Sequence, residues 1–254
     1  MNRIRGLLLD LSGVIYVGGQ LLPGALEALE SLRAAKLPMR YITNTTRSTR
    51  AQVVAKLAAM GLEIDPEHLF TAPLMTCDYL NQHQLVPHLL IHPQLESEFA
   101  DCLAGTPDAV VVGDAGRAFT YDNLGRAFRL LMQGCPLLAM GDSRYFRGER
   151  ELYLDVGPFV KALEYAADTK ATVLGKPSSA FFQAAAASLG CQPGKVLMIG
   201  DDWASDVEGA LRSGLQALLV KTGKYLPGDE GRISVPGARV AGNLAAAVEH
   251  VLNG

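Results

Sequence analysis

The chain alternates short apolar runs with stretches of helical period. It opens with GLLLD at 6–10, an amphipathic run over 23–35, MRYIT at 39–43 and a helical pattern over 51–57 that stops at Gly61. That order predicts a βαβα unit. Pro23 suits a first helical position, and Gly61 a helix-ending glycine one turn after Leu57. The alternation returns late, with strands expected at 171–175, 195–200 and 216–220, and helices over 178–189, up to Gly214, and over 244–252. Continuous apolar runs are what strands covered on both faces require. The two blocks therefore predict an α/β fold with a doubly wound, mostly parallel sheet as its core.

Residues 82–171 have a different texture, with their own apolar runs (HLLIH, DAVVVG, PLLAM) and helical patterns (YDNLGRAFRLLMQG, PFVKALEYAADT). They read as a smaller inserted α/β domain, so the expected division is 1–81 for the first part of the core, 82–171 for the insertion and 172–254 for the second part. Residues 227–237, carrying Pro, Gly and charge, read as an irregular loop. No repeat of fixed period or low-complexity tract interrupts this plan.

Composition narrows the function classes. Of 254 residues, 49% are hydrophobic and 19% charged, which leaves much apolar surface to bury and excludes a disordered chain. Lys and Arg number 23 against 26 Asp and Glu, a net charge of −3 without a basic run, so nucleic acid is not an expected partner. No run approaches the roughly 20 apolar residues of a membrane span, and Asp10 breaks the first one. The start, from Met1 through Arg3 and Arg5 into GLLLD, is too short for a signal peptide, so a cytosolic location is expected. Cys77, Cys102, Cys135 and Cys191 lack CxxC pairing and read as reduced thiols.

Candidate chemistry gathers at the carboxyl ends of the expected core strands, the edge where open α/β sheets place their sites. There stand Asp10-Leu11-Ser12-Gly13-Val14, Thr43-Asn44, Gly175-Lys176-Pro177, and Gly200-Asp201-Asp202 followed by Asp206. Each alone is explained by a turn, a helix cap or a solvated charge. Together they put several carboxylates, a hydroxyl and an ammonium on one edge, a like-charge cluster that a hard divalent cation relieves. Asp10 can attack phosphorus as a nucleophile. Asp10, the Ser12 carbonyl and Asp201 can supply oxygens to Mg2+, with Asp206 a direct ligand or the holder of a bound water and Asp202 a helix cap or a further ligand. The Thr43 hydroxyl and the Asn44 N–H can hold phosphate oxygens, while Lys176 offsets charge on the transferring group. In the insertion, Asp155 before Gly157-Pro158 is a candidate contact for a cationic substrate, or simply the turn into a helix.

These four motifs, in this order, resemble those of the haloacid dehalogenase superfamily of phosphotransfer hydrolases, where DLSGV, TN, GKP and GDDxxxD correspond to its ordered signatures. The strings LLLDLSGVIY, DAGRAFTYDNLGRAFRLLM, LDVGPFVKALEYA, TVLGKPSSAFF, MIGDD and LVKTGKY resemble members with a large α/β cap inserted between the second and third motifs, over nearly the whole chain. The resemblance implies a doubly wound core with a cap, Mg2+ as cofactor, removal of phosphate from a small phosphorylated substrate through Asp10, and a homodimer.

One position departs from the superfamily pattern. Most of its phosphatases carry a second Asp two residues after the nucleophile as general acid and base; here that residue is Ser12. Such help is worth roughly 10²–10⁴-fold, so alkyl phosphates with basic leaving groups are expected to be poor substrates. Phosphoramidates and pyrophosphate need less help, and the Ser-containing members that this chain resembles act on those classes. The rival reading is a catalytically impaired phosphate-binding or regulatory protein of the same fold. A phosphoaspartate receiver domain uses similar residues in a different chain order and without an insertion.

Overall fold

The computed structural model describes residues 3–147 and 151–253. Two compact units emerge: one formed by 1–43, 54–70 and 176–254, the other by 44–53 and 71–175. The expected insertion at 82–171 falls wholly within the second unit, which extends further at both ends and also claims the short segment 44–53.

The first unit is built on a six-stranded sheet in the order Arg239–Ala241, Gln216–Val220, Val196–Gly200, Gly6–Asp10, Met39–Thr43, Leu69–Thr71. Gly6–Asp10 lies between Val196–Gly200 and Met39–Thr43 and is parallel to both, with Leu9 opposite Ile199 on one side and Tyr41 on the other. Both Gly6–Asp10 and Val196–Gly200 are buried along their whole length. Each fully buried leucine of the first run contributes about 1.5–3 kcal/mol.

Pro23 does not open a helix. It sits in a turn closed by the Ala25 N–H on the Leu22 carbonyl at 3.0 Å, with Gly24 in the left-handed region at φ 76°, and the helix runs Ala25–Ala34. Glycine at the third position supplies the positive φ that a type II turn requires, and proline suits the second.

The second unit has a four-stranded parallel sheet in the order Thr172–Val173, Leu137–Ala139, Ala109–Val112, Pro87–Leu90. Its faces alternate: Ala109 and Val111 pack with Leu138, Phe99 and Leu95, while Val110 and Val112 pack with Leu137, Ala139 and Val160. The run at 171–175, expected among the core strands, belongs to this sheet instead. Thr172 pairs with Leu138, and the Leu174 N–H donates to the Ala139 carbonyl at 2.8 Å.

Helices Tyr121–Met132 and Val156–Ala167 match the predicted patterns closely. Several elements were not announced by the pattern: the strand Leu69–Thr71, the helix Ala72–His83, the 3-10 run Pro93–Cys102, and the hairpins Tyr16–Val17 with Gln20–Leu21 and Tyr145–Arg147 with Leu152–Leu154. Residues 227–237, read as loop, contain one short 3-10 turn, Asp229–Arg232. Among the described residues no helix is long and apolar enough to cross a membrane.

Candidate active site

Three neighbouring strands of the first unit end at one edge. Asp10 closes Gly6–Asp10 and stands opposite Ile42, so Thr43 lies one step further along the adjacent strand. On the other side, Asp201 directly follows Val196–Gly200. Asp10, Thr43, Lys176, Asp201 and Asp206 are all buried. Carboxylate oxygens of Asp10, Asp201 and Asp206 lie within 4.8 Å of one another.

Lys176 is the cation among them. Its ammonium is ion-paired with Asp10 Oδ1 through a short contact and with Asp206 Oδ1 at 2.7 Å. Asp206 sits on a π-helical turn, Trp203–Glu208, a wider winding that often marks functional positions. That turn is started by Asp202, whose Oδ1 accepts the Ala204 and Ser205 N–H groups at 3.0 Å each. Asp202 thus acts as a helix cap, and the Lys224 ammonium lies 3.6 Å from its other oxygen. The Asp202 N–H in turn donates to Asp206 Oδ2 at 3.2 Å.

Electrostatics record the crowding. Burial, followed by the charges of Asp10 and Asp206, pushes Asp201 well above the ordinary carboxylate range, although the Lys224 N–H donates to its Oδ2 at 2.6 Å. Burial also pushes Asp206 up to about 6, against the pull of Lys176. Burial disfavours the Lys176 charge, but Asp10 and Asp206 outweigh it and hold the ammonium protonated. Tyr16 is raised to about 12 by burial and then by the Asp10 charge. Lys176 therefore pairs with two of three clustered buried carboxylates, and Lys224 acts on the third, Asp201. A set of hard carboxylate oxygens with more negative than positive charge fits a divalent ion such as Mg2+.

Two glycines make room for Asp201. Gly13, at φ +92°, and Gly223, at φ +59°, both lie so near that a Cβ on either would overlap Asp201 Oδ2. Both also adopt the left-handed conformation that glycine tolerates. The loops carrying them are tied by the Thr222 hydroxyl, which donates to the Gly13 carbonyl at 2.5 Å. Ser12 lies on the first of these loops, exposed, two residues beyond Asp10.

Asn44 falls in the second unit, directly after Thr43. There its side-chain amide packs against backbone: a Cβ on Gly175 would lie 2.6 Å from Asn44 Oδ1, and one on Gly141 would lie 3.3 Å from Nδ2. Asp155 caps Val156–Ala167 by accepting the Val156 N–H at 2.7 Å, which accounts for its place before Gly157-Pro158. Sequence reasoning missed Thr222, Gly223 and Lys224. A signal was available, since TGK follows the strand Gln216–Val220 at the same sheet edge.

A parallel sheet with an acidic, lysine-containing site at its carboxyl edge, its motifs in this chain order and an insertion between the second and third, matches a haloacid dehalogenase-like architecture. The haloacid dehalogenase-like hydrolase family matches residues 7–103, and the HAD-hydrolase-like family residues 173–247. The chain is 40% identical to the human phospholysine phosphohistidine inorganic pyrophosphate phosphatase, covering 98% of this chain and 94% of that one. It is also 40% identical to the Bos taurus haloacid dehalogenase-like hydrolase domain-containing protein 2, covering 98% and 96%. Among solved structures it resembles the 4-nitrophenylphosphatase of Thermotoga maritima, with a TM-score of 0.90, 27% identity, and coverage of 98% and 97%. The chain belongs to the haloacid dehalogenase-like hydrolases, a family of enzymes.

Proposed function

We propose that the protein is a Mg2+-dependent phosphohydrolase of small phosphorylated compounds that works through an aspartyl-phosphate on Asp10. The observation that carries this reading is the cluster of Asp10, Asp201 and Asp206, two of which, Asp10 and Asp206, are paired with the Lys176 ammonium. In the first step an Asp10 oxygen forms a bond to phosphorus while the bond to the leaving group breaks, and the leaving group departs with the electron pair. In the second step water attacks phosphorus, which releases inorganic phosphate and restores the Asp10 carboxylate.

Lys176 is paired with Asp10 and faces the charge that develops on the phosphoryl oxygens. The Thr43 hydroxyl and the Asn44 N–H hold those oxygens in line. Asp10, Asp201, Asp206 and the Ser12 carbonyl are the residues that would hold Mg2+. The bound ion would supply positive charge that lets an anionic phosphate approach an anionic nucleophile. Ser12 offers no proton at neutral pH to a leaving alkoxide, so P–N bonds and pyrophosphate are the favoured substrates. The human relative's name covers those substrate classes, and its 40% identity supports the same choice here. The reading further places the enzyme in the cytosol as a homodimer, for which sedimentation should give twice the chain mass.

The deciding experiment is phosphate release from pyrophosphate, imidodiphosphate, phosphohistidine, phospholysine and sugar phosphates, with and without Mg2+, using Asp10→Asn as the blank. Release only by the unmodified protein with Mg2+ is expected. Equal release by Asp10→Asn removes the covalent mechanism. Mg2+-dependent phosphate binding without release from any substrate supports the impaired, regulatory alternative.

A further inference from the structure

The strand Ala109–Val112 of the second unit leads into Asp114, a buried carboxylate that the phosphohydrolase reading leaves unused. Asp114 accepts from Arg47 twice, from Nε at 2.5 Å and from Nη2 at 3.2 Å, and from the Gly116 N–H at 3.0 Å. Its own N–H donates to Thr46 Oγ1 at 3.0 Å. The Arg47 guanidinium also lies over the Phe146 ring, 4.9 Å from its centroid. One acidic residue thus grips two successive residues, Thr46 and Arg47.

Those residues lie in a stretch with little structure of its own. Residues 44–49 are neither helix nor strand, so side-chain bonds must set their course. Beyond the Asp114 contacts, the Arg50 N–H donates to Glu98 Oε1 at 2.7 Å, and the Asn44 amide rests against Gly175, the residue before Lys176. The first peptide group of the stretch joins Thr43 to Asn44. An ion pair with Arg47 exposed and only Asp114 buried is weak grounds for stability, because solvent screens the exposed partner. What a bidentate guanidinium–carboxylate fork adds is direction.

We infer that Asp114 is a positioning residue: by gripping Thr46 and Arg47 it fixes the segment whose first N–H, beside Thr43, holds the phosphate. The inference rests on the proposed phosphohydrolase function. It assigns Asp114 and Arg47 no contact with substrate; both act through the backbone of 44–46.

The test uses the full chain with Asp114→Asn, Arg47→Lys and the double variant. For each, kcat and KM on pyrophosphate, calorimetric binding of inorganic phosphate, the half-saturating Mg2+ concentration and the melting temperature are measured. The expected result is a loss of about 10- to 100-fold in phosphate affinity and kcat, with the Mg2+ midpoint unchanged, because Asp10 and Asp201 are set by other strands. The double variant should be no worse than the poorer single one, since both break the same fork. Unchanged phosphate affinity and kcat in folded Asp114→Asn would overturn the inference. So would parallel loss of phosphate binding, Mg2+ binding and melting temperature, the pattern of general damage. Should Asp114→Asn fail to fold, Arg47→Lys, which keeps the charge and loses the fork, decides by the same readouts. An unmodified protein that neither binds nor releases phosphate brings down the proposed function itself, an outcome told apart because the unmodified protein fails too.

Discussion

Lys176 Nζ lies 2.7 Å from Asp206 Oδ1, and the same ammonium is paired with Asp10. It bridges the proposed nucleophile and a carboxylate of the π-helical turn, with little solvent exposure to weaken either pair. Lys176→Met keeps most of the side-chain length and removes the charge. Electrostatic donors of this kind are worth about 10²–10³ in kcat, so a loss of that size on pyrophosphate is expected. A fall confined to KM would show that Lys176 binds substrate without favouring the transition state.

Metal binding can be read without activity. The three clustered buried carboxylates repel one another, and an added cation stabilises the folded state by mass action, about 2.7 kcal/mol at 100 times its Kd. Mg2+ should therefore raise the melting temperature by several degrees, at about 2–4 °C per kcal/mol for a chain of this size. Asp201→Asn should abolish that rise. Without Mg2+ the same variant should melt no lower than the unmodified protein, because it removes one of the repelling charges. A full Mg2+ shift in Asp201→Asn would take Asp201 out of the metal site.

Ser12→Asp tests the substrate argument directly. Ser12 is exposed and two residues beyond Asp10, so a carboxylate there can act as the missing acid and base. Activity on phosphomonoesters relative to pyrophosphate should rise, by up to about 10²-fold. An unchanged or lower ratio would mean that Ser12 does not set the leaving-group preference.

How much of this was legible without coordinates depends on what each residue contributes. Asp10, Thr43, Lys176 and Asp201 stood out in the sequence because each ends or follows an apolar run, and Asp206 through its spacing in GDDxxxD; each carries a side chain that only a few residue types supply. Lys224 did not, since what it gives Asp201 is a backbone N–H that almost any residue carries. The run at 171–175 announces a strand but not its sheet, because an apolar run of that length holds no record of its neighbours. The helix Ala72–His83 was hidden for another reason. It buries Ala72, Pro73, Thr76 and Leu80, of which proline and threonine break the apolar pattern, and the Thr76 hydroxyl is satisfied by the Ala72 carbonyl at 2.8 Å.

Glu164 supplies a prediction of a different kind, on the stability of the second unit. It is buried near the end of Val156–Ala167 and accepts the Ala171 N–H at 2.9 Å, tying the helix to the approach of the strand Thr172–Val173. The Lys161 ammonium lies 3.0 Å from its other oxygen. Burial works to raise its pKa, but the Ala171 N–H and Lys161 together outweigh burial and hold the carboxyl below its ordinary range. A folded pKa below the unfolded one means that the contribution is complete above the unfolded pKa, near pH 4.3. It is then lost as pH falls through the lower folded value. Glu164→Ala at pH 7 should cost about 1–3 kcal/mol, chiefly because the Ala171 N–H loses its acceptor. Glu164→Gln keeps an acceptor oxygen, so it should cost less at pH 7 and remove this residue's share of the acid sensitivity. Urea midpoints at pH 7 and in the acid range check both statements. If Glu164→Gln loses stability between those pH values as steeply as the unmodified protein, Glu164 is not a source of the acid sensitivity.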